Sequence, residues 1–199
     1  MGDFSFGSLS CIYPRKNCQL SYRCAIPLFE MQVNVTKSDI TQALVDGIVN
    51  PANSLGSMDK GVAAAIKDAG GQSIETEVKN LAPIAIGAAV VTKAGELSAK
   101  YVIHAPLMNE PGQQIGPENI RRAARAALVA ANHLKMNSIA IPGMGTIEGE
   151  VPRLEAARAI IEEIRAHKKE FPETVYLTDD EDSMVDAFDY AMGNTQQHL

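Results

Sequence analysis

The sequence has no tryptophan and only three cysteines among its 199 residues. Cys11, Cys18 and Cys24 lie near the amino end, at spacings that match no zinc motif and far from any histidine. They are predicted to be ordinary thiols. A chain of this length can bury a substantial core without disulfides or a structural metal, so we expect neither a metal site nor a cofactor.

Long apolar runs and an excess of basic residues are also missing. No segment reaches the roughly 18 apolar residues of a membrane span, and the amino end has no signal-peptide core, so a cytoplasmic protein without a membrane partner is predicted. The 18 Lys and Arg residues stand against 24 Asp and Glu, a formal net charge of -6, which argues against broad capture of a nucleic-acid backbone. A local anion site remains allowed, because helix ends and backbone N–H groups supply positive potential.

From Met31 onward, short apolar runs that predict strands alternate with amphipathic segments that predict helices. The predicted strands cover 31–36, 47–50, 88–92, 101–105, 138–142 and 174–178. The predicted helices cover 60–69, 73–81, 117–135, 152–169 and 182–192. This alternation indicates an α/β fold in which helices cover both faces of a largely parallel sheet, with ligands bound at the carboxyl ends of the strands.

Residues 1–30 lack this periodicity and are predicted to be an amino-terminal extension of unknown role, ahead of one domain over 31–199. The extension can add strands to the sheet edge, cover a cleft or make a dimer contact. Its composition does not choose among these roles, and the oligomeric state is equally open.

Two polar segments follow the first two predicted strands. In the first, over 36–41, the Asp39 carboxylate can accept a hydrogen bond from a ligand amine or cap a turn, and the segment alone favours the cap. The second, over 50–53, is predicted to be a loop between a strand and a helix. Its two carboxamides, Asn50 and Asn53, can bind sugar hydroxyls or form a polar turn.

A glycine-rich segment over 141–149 follows the fifth predicted strand. Gly143, Gly145 and Gly149 allow the backbone to approach a ligand closely, or they make a tight connection between strand and helix. Their spacing has one residue too many before the last glycine for the dinucleotide-binding motif, so a Rossmann dehydrogenase is not expected.

These three segments, in this order, resemble the macrodomain family. The resemblance runs from about Met31 to the last helix and rests on Ser38-Asp39-Ile40-Thr41, Ile48-Val49-Asn50-Pro51-Ala52-Asn53, Gly61-Val62-Ala63, Val102-Ile103-His104, and Ile141-Pro142 with Gly145-Thr146. It implies a three-layer α/β/α domain whose mixed sheet is largely parallel. The implied ligand is ADP-ribose, bound in a cleft over the strand ends, and the implied partner is ADP-ribose or an ADP-ribosylated protein.

The resemblance also implies roles for individual residues. Asp39 would accept from the adenine amino group, and Ile40 would line the adenine pocket. Asn53 would hold the distal ribose, with Asn50 supporting its loop. The backbone amides that would wrap the diphosphate are those of Gly61, Val62, Gly143, Met144, Gly145, Thr146, Ile147 and Gly149.

The chain departs from the family pattern at several of these places. Residues 57–61 replace a run of glycines, and Ile147 stands where another glycine is usual. Glu148 and Glu150 bring negative charge toward the expected diphosphate, which weakens binding unless they face away. Residues 178–179 are Thr and Asp where the family often offers an aromatic ring to adenine.

Ala63 takes the place of the aspartate that ADP-ribosyl-removing macrodomains often carry, so the usual general base is missing. Catalysis would rest on water positioned by Asn53 and by the ligand's own diphosphate. The sequence therefore favours a binder of ADP-ribose or a related metabolite. The alternatives are a hydrolase of ADP-ribosyl esters, ADP-ribose 1''-phosphate or O-acetyl-ADP-ribose, and a scaffold that has lost the ligand and serves in protein association.

Overall fold

The computed structural model describes residues 31–193. The predicted extension over 1–30, with its three cysteines, lies outside the described residues. Within 31–193, no helix is both long enough and apolar enough to cross a membrane.

The described residues contain every strand and helix that the sequence predicts. The strands are β1 (Gln32–Lys37), β2 (Gly47–Asn53), β3 (Val90–Lys93), β4 (Tyr101–Met108), β5 (Ser138–Ile141) and β6 (Thr174–Asp179). The α-helices are α1 (Gly61–Gly70), α2 (Gln72–Asn80), α3 (Pro117–His133), α4 (Arg153–Ala166) and α5 (Asp182–Met192). A one-turn 3₁₀ helix (Ile40–Gln42) follows β1.

The six strands form one sheet in the order β1-β6-β5-β2-β4-β3. All neighbours are parallel except β3, which pairs antiparallel with β4 at one edge. The carboxyl ends of β2, β4, β5 and β6 therefore meet at one edge of the sheet, where a ligand site is expected. The predicted mixed, largely parallel sheet is confirmed.

Successive side chains of a strand point to opposite faces of the sheet, so the buried strands present apolar side chains to the helices on both faces. In β2, Ile48 packs in a cluster with Ile66 of α1 and Ile74 of α2. The next residue, Val49, packs on the opposite face in a cluster that includes Ile160 of α4. Helices α3, α4 and α5 cover that second face, which completes the α/β/α sandwich.

The prediction of a loop over residues 50–53 is wrong, because these residues form the second half of β2. Asn50 pairs with His104 and Asn53 pairs with Met108 along β4, with an irregularity in the register before Asn53. By contrast, β5 pairs with β2 only over Gly47 and Ile48. Asn and Pro are poor strand formers in sequence, but pairing with a long neighbouring strand outweighs that preference.

Two helices, α3 and α4, end two and three residues earlier than predicted. Helix α3 ends at His133, and Lys135 then takes up the left-handed conformation with φ of 50°. Helix α4 ends at Ala166, since His167 is extended and its Nε2 lies 2.7 Å from the carbonyl oxygen of Phe171. Such hydrogen bonds and backbone reversals depend on local geometry that hydrophobic periodicity does not report.

Candidate functional site

A cleft of about 400 Å³ opens at the carboxyl ends of β2, β4 and β5. Its volume falls within the range of small-molecule binding pockets. Three segments line it: Pro51, Ala52, Asn53, Ser57, Asp59, Lys60, Gly61, Val62 and Ala63; Leu107, Met108 and Pro111; and Gly143, Gly145, Thr146, Ile147 and Glu148. Within 31–193, no group of three His, Cys, Asp or Glu side chains is arranged to bind a metal ion.

The predicted site residues divide into two groups. Those that line the cleft are Asn53, Gly61, Val62, Gly143, Gly145, Thr146 and Ile147. Those that do not line it are Asp39, Ile40, Asn50, Met144 and Gly149. The cleft therefore brings together the two backbone segments predicted to face a diphosphate.

Asp39 and Ile40 follow the end of β1, which is the third strand away from β2 in the sheet. Asp39 is exposed, and its Oδ1 accepts a hydrogen bond of 2.8 Å from the Thr41 backbone N–H. This is the cap that the segment alone favours. Ile40 is buried in the core beneath α1. Contact of these two residues with a ligand base stays a prediction.

Asn53 holds the turn that follows β2. Its Nδ2 donates to the backbone oxygen and to Oγ of Ser57, at 3.0 Å each. Its Oδ1 accepts from the backbone N–H groups of Leu55 and Ser57, at 3.1 and 3.2 Å. Asn53 thus lines the cleft, and its side-chain amide is bonded within the turn.

The segment over 57–61, where the resemblance implied a run of glycines, is anchored in the core by Met58. This side chain is fully buried, and its backbone N–H donates 3.0 Å to the carboxylate of Glu75 on α2. Glu75 is only 3% exposed, and it also accepts from Gln72 and pairs with Lys67 and Lys79. These contacts of Met58 and Glu75 therefore hold the loop beside the cleft in place.

Burial alone would raise the pKa of the Glu75 carboxyl, but its partners outweigh that effect. Hydrogen bonds from Lys79, Gln72 and the Met58 N–H, together with the charge of Lys67, lower its pKa from 4.5 to about 2. Glu75 is therefore an anion at neutral pH. Sequence reasoning missed this residue, whose only local signal is its place beside the apolar Ile74 on an amphipathic helix.

Helix α1 presents its amino end to the cleft. It begins at Gly61, whose φ of 54° belongs to the left-handed region that favours glycine. The first N–H groups of a helix have no partner within the helix, and they lie at the positive end of its dipole. The first turn of α1 contains no acidic residue. Gly61, Val62 and Ala63 therefore offer a place for a phosphate group.

The β5–α4 connection forms the opposite wall of the cleft. Backbone hydrogen bonds hold this connection in a compact loop. The Val151 N–H donates 3.0 Å to the Gly145 oxygen, and the Ile115 N–H donates 3.3 Å to the Gly149 oxygen. A Cβ atom at Gly149 would lie 2.8 Å from the Gly145 oxygen and 2.5 Å from the Ile115 side chain. Gly149 thus permits the close packing of the loop, and Met144 anchors it in the core.

The two glutamates of this loop have different surroundings. Glu148 lines the cleft, whereas Glu150 is exposed and accepts a hydrogen bond of 2.5 Å from Gln114. Glu150 also adopts a left-handed φ of 56°, which is unusual for a residue with a Cβ atom. Of the two carboxylates, only that of Glu148 belongs to a residue that lines the cleft. Ile147, which is 69% exposed, lies at the rim.

Asn50 is buried beneath the cleft in a polar chain across the sheet. Its Nδ2 lies 3.0 Å from Nδ1 of His104, and Nε2 of His104 lies 2.9 Å from Oγ1 of Thr92. Burial lowers the pKa of His104 to about 3, so the ring is neutral at physiological pH. Asn50 Oδ1 is buried and has no hydrogen-bond partner among the described residues. His104 is therefore a buried histidine whose two ring nitrogens both have hydrogen-bond partners.

Asp179 lies at the end of β6, where the resemblance implied an aromatic ring. Its Oδ2 accepts 3.1 Å from the Gly143 N–H, and its Oδ1 accepts 3.0 Å from the Glu181 N–H. Burial raises the pKa of this carboxyl. Asp179 therefore ties the β5–α4 loop to β6.

A family model described as "Macro domain" matches residues 49–160 of this chain. An uncharacterized protein of Aquifex aeolicus is 48% identical over 163 residues, which cover 82% of this chain and 99% of that protein. An uncharacterized protein of Mycobacterium tuberculosis is 39% identical over 69% of this chain. The match spans only 38% of that longer relative.

Two solved structures show the same fold. The Trypanosoma brucei macrodomain in complex with ADP-ribose has a TM-score of 0.71 and 22% identity, and the match covers 81% of this chain and 69% of that chain. The Oceanobacillus iheyensis macrodomain with ADP has a TM-score of 0.70 and 21% identity, covering 80% of this chain and 89% of that chain. At these identities the likeness concerns the fold.

Proposed function

Because the chain belongs to the macrodomain family, we propose that it binds ADP-ribose or a related ADP-ribosyl metabolite, free or attached to a protein, in the cleft over the strand ends. The observation that supports this most directly is that the amino end of α1 and the glycine-rich β5–α4 loop border one cavity of about 400 Å³. Backbone N–H groups from both sides can converge there on a diphosphate. The predicted contribution of the Gly143 N–H is the exception, because this group donates to Asp179 Oδ2.

The electrostatics of the cleft suit a diphosphate although the whole chain carries a net charge of -6. The positive end of the α1 dipole is local, and Lys60 lies among the lining residues. Asp59, which also lines the cleft, is paired with Lys67 at 3.1 Å. The remaining unfavourable charge at the lining is that of Glu148.

The spacing of the strands suits an elongated ligand. β1 is separated from β2 by β6 and β5, so the two strands lie about 14 Å apart across the sheet. We propose that the base lies toward Asp39 and Ile40, and that the diphosphate and distal ribose occupy the cleft beside β2. This assignment extends the roles that the family resemblance implies.

We propose binding rather than hydrolysis as the activity. Ala63 lines the cleft in the first turn of α1, where hydrolytic members of the family often have an aspartate. A methyl group can neither accept a proton nor orient a water molecule. Hydrolysis would therefore have to rest on water positioned by Asn53 and by the ligand's own diphosphate.

The test is isothermal titration calorimetry with ADP-ribose, using AMP and NAD as comparators. We expect micromolar or tighter binding of ADP-ribose and much weaker binding of AMP, because AMP has neither the diphosphate nor the distal ribose. The absence of heat with every ligand, from protein shown to be folded by circular dichroism, would contradict the proposal and favour the scaffold alternative.

Replacing Glu148 with glutamine is expected to strengthen ADP-ribose binding roughly threefold to tenfold at low ionic strength, since a negative charge no longer faces the diphosphate. The gain should shrink at high salt, where exposed charges are screened. Calorimetry at both ionic strengths measures the effect. Glu150→Gln is the matched control, because Glu150 does not line the cleft. Equal gains in the two variants would mean that only the net charge matters.

A further inference from the structure

A second groove lies between the edge strand β3 and helix α3, and it shares no lining residue with the ligand cleft. We infer that this groove is a dimerisation surface, on which two copies of this chain pair their β3 strands antiparallel. The inference does not depend on the proposed function, because it concerns a different part of the molecule.

The outer side of β3 offers backbone groups for a further strand. In the described part of the chain, β3 is the last strand of the sheet and pairs only with β4. Successive residues of an antiparallel strand direct their N–H and C=O groups alternately to its two sides. The Lys93 N–H donates 3.2 Å to Glu77 on α2, so it points away from β4. The backbone groups of Val91, two residues earlier, point the same way.

Apolar side chains line the groove, which has a volume of about 780 Å³. On the strand side, Val91 packs against the core beneath α3. On the helix side, Val129 is 57% exposed and Leu134 is 44% exposed. Large apolar side chains grouped in one exposed groove mark an interaction site. The groove therefore fits a partner strand with an apolar face.

Two valines lie at about the same level along the groove. One end of the groove is marked by Gly87, where an added Cβ would lie 3.8 Å from the Arg122 Cβ. From there β3 and α3 both run opposite to β4, since β3 is its antiparallel neighbour and α3 connects its end to the start of β5. Val91 lies four residues further along the strand, about 13 Å, and Val129 lies seven residues further along the helix, about 10 Å.

This arrangement suits a second copy of the same surface. A two-fold axis brings the same patch of both copies together and pairs identical strands antiparallel. With the axis at Val91, each Val91 N–H can donate to the Val91 C=O of the other copy. Each Val129 would approach Val129 of the other copy, beside the small side chains of Ala126 and Ala130. Apolar surface would thus be buried against apolar surface.

The charges of the groove allow this pairing. Lys93 of each copy would lie opposite Ala89 of the other, and the two Lys93 residues would be about 14 Å apart, farther than the Debye length of about 8 Å at physiological salt. The Arg125 guanidinium binds the Glu163 carboxylate through two hydrogen bonds of 2.8 and 2.9 Å, which neutralises it within each copy. The groove therefore suits an apolar strand of low charge, such as β3 itself, better than a strongly charged peptide.

The two ligand clefts of such a dimer would open at opposite edges of the joined sheet, because antiparallel pairing turns the two copies in opposite directions. Dimer formation would therefore cover neither cleft. ADP-ribose affinity should be the same in the dimer and in a monomeric variant. A loss of affinity on dissociation would contradict this arrangement of the two copies.

Sedimentation velocity of the full chain, from low to high micromolar concentration, tests the inference on wild type, Val129→Lys and Leu44→Lys. Val129→Lys keeps a good helix former at an exposed position but brings two like charges together at the axis. We expect wild type to dimerise and Val129→Lys to weaken dimerisation at least about a hundredfold. Leu44→Lys is the matched control, because Leu44 is exposed outside the groove. It should change dimerisation by less than about twofold.

Hydrogen exchange of the Val91 amide gives a second readout. Its protection should rise with the concentration of wild-type protein and stay low in Val129→Lys. A wild-type chain that is monomeric at every concentration would overturn the inference. In that case, constant protection of the Val91 amide would indicate that residues 1–30 cover the edge, and rapid exchange would leave the groove to a different protein. Dimerisation that Val129→Lys does not weaken would also overturn it.

Discussion

Replacing Glu75 with glutamine is expected to lower the free energy of unfolding at pH 7 by about 3 kcal/mol, the value of a pKa difference between 4.5 and about 2. Glutamine keeps the shape of the side chain and an acceptor for the Met58 N–H. It removes the charge that Lys67 and Lys79 neutralise at 3.4 and 2.9 Å. The buried position makes this loss larger than that of a surface ion pair.

The difference between wild type and Glu75→Gln should depend on pH in a defined direction. Because the pKa of Glu75 is lowered in the folded chain, the unfolded chain takes up the proton first as the pH falls. The stabilising contribution is therefore complete above the ordinary pKa of 4.5 and is lost as the pH falls toward about 2. The two proteins should converge in stability over that interval.

Urea denaturation at several pH values measures the free energies of unfolding that test this prediction. Glu77→Gln is the matched control, since Glu77 lies on the same helix, is exposed and accepts from the Lys93 N–H at 3.2 Å. We expect it to change stability by less than about 0.5 kcal/mol. Equal stability of wild type and Glu75→Gln at pH 7 would show that the buried ion cluster contributes nothing net.

Replacing Asn53 with alanine is expected to lower the free energy of unfolding by about 2 to 3 kcal/mol, since it removes four hydrogen bonds and leaves backbone N–H groups of the turn without their partner. ADP-ribose binding should weaken roughly a hundredfold, because the turn carries Ser57 and leads into α1. Urea denaturation and calorimetry measure the two effects.

Asn53→Asp separates the two halves of the amide. A carboxylate still accepts from the Leu55 and Ser57 N–H groups, but it has no hydrogen to donate to the Ser57 oxygens. We expect a stability between those of wild type and Asn53→Ala, with ADP-ribose binding still weakened. An Asn53→Ala protein that is as stable as wild type and yet fails to bind would assign the amide to the ligand instead of to the turn.

The order of strands and helices could be predicted because each element is a local pattern of apolar residues. Hydrophobic runs such as 101–105 and the apolar stripe of α4 are visible along the chain, and burial of these residues drives the fold. The extension of β2 to Asn53 could not be predicted this way. It depends on pairing with β4, about fifty residues further along.

The candidate site was predictable to the same degree. Gly61, Val62 and the glycine-rich loop do line the cleft, since backbone segments at strand ends are placed by the topology itself. The hydrogen bond between the Met58 N–H and Glu75 joins the loop before α1 to α2. No spacing of residues along the sequence predicts this contact. Likewise, nothing in the sequence distinguishes Glu148, which lines the cleft, from Glu150, which bonds to Gln114.

The sequence by itself determined the α/β architecture, the family and the backbone segments that border the cleft, because periodicity and glycine positions act through the main chain. Only the tertiary structure decided which polar side chains remain available to a ligand. Asn50 and Asn53 are carboxamides of the same motif, yet one bonds to a buried histidine and the other closes a turn. A side chain has a fixed number of donors and acceptors, and the neighbours that use them are brought together by folding.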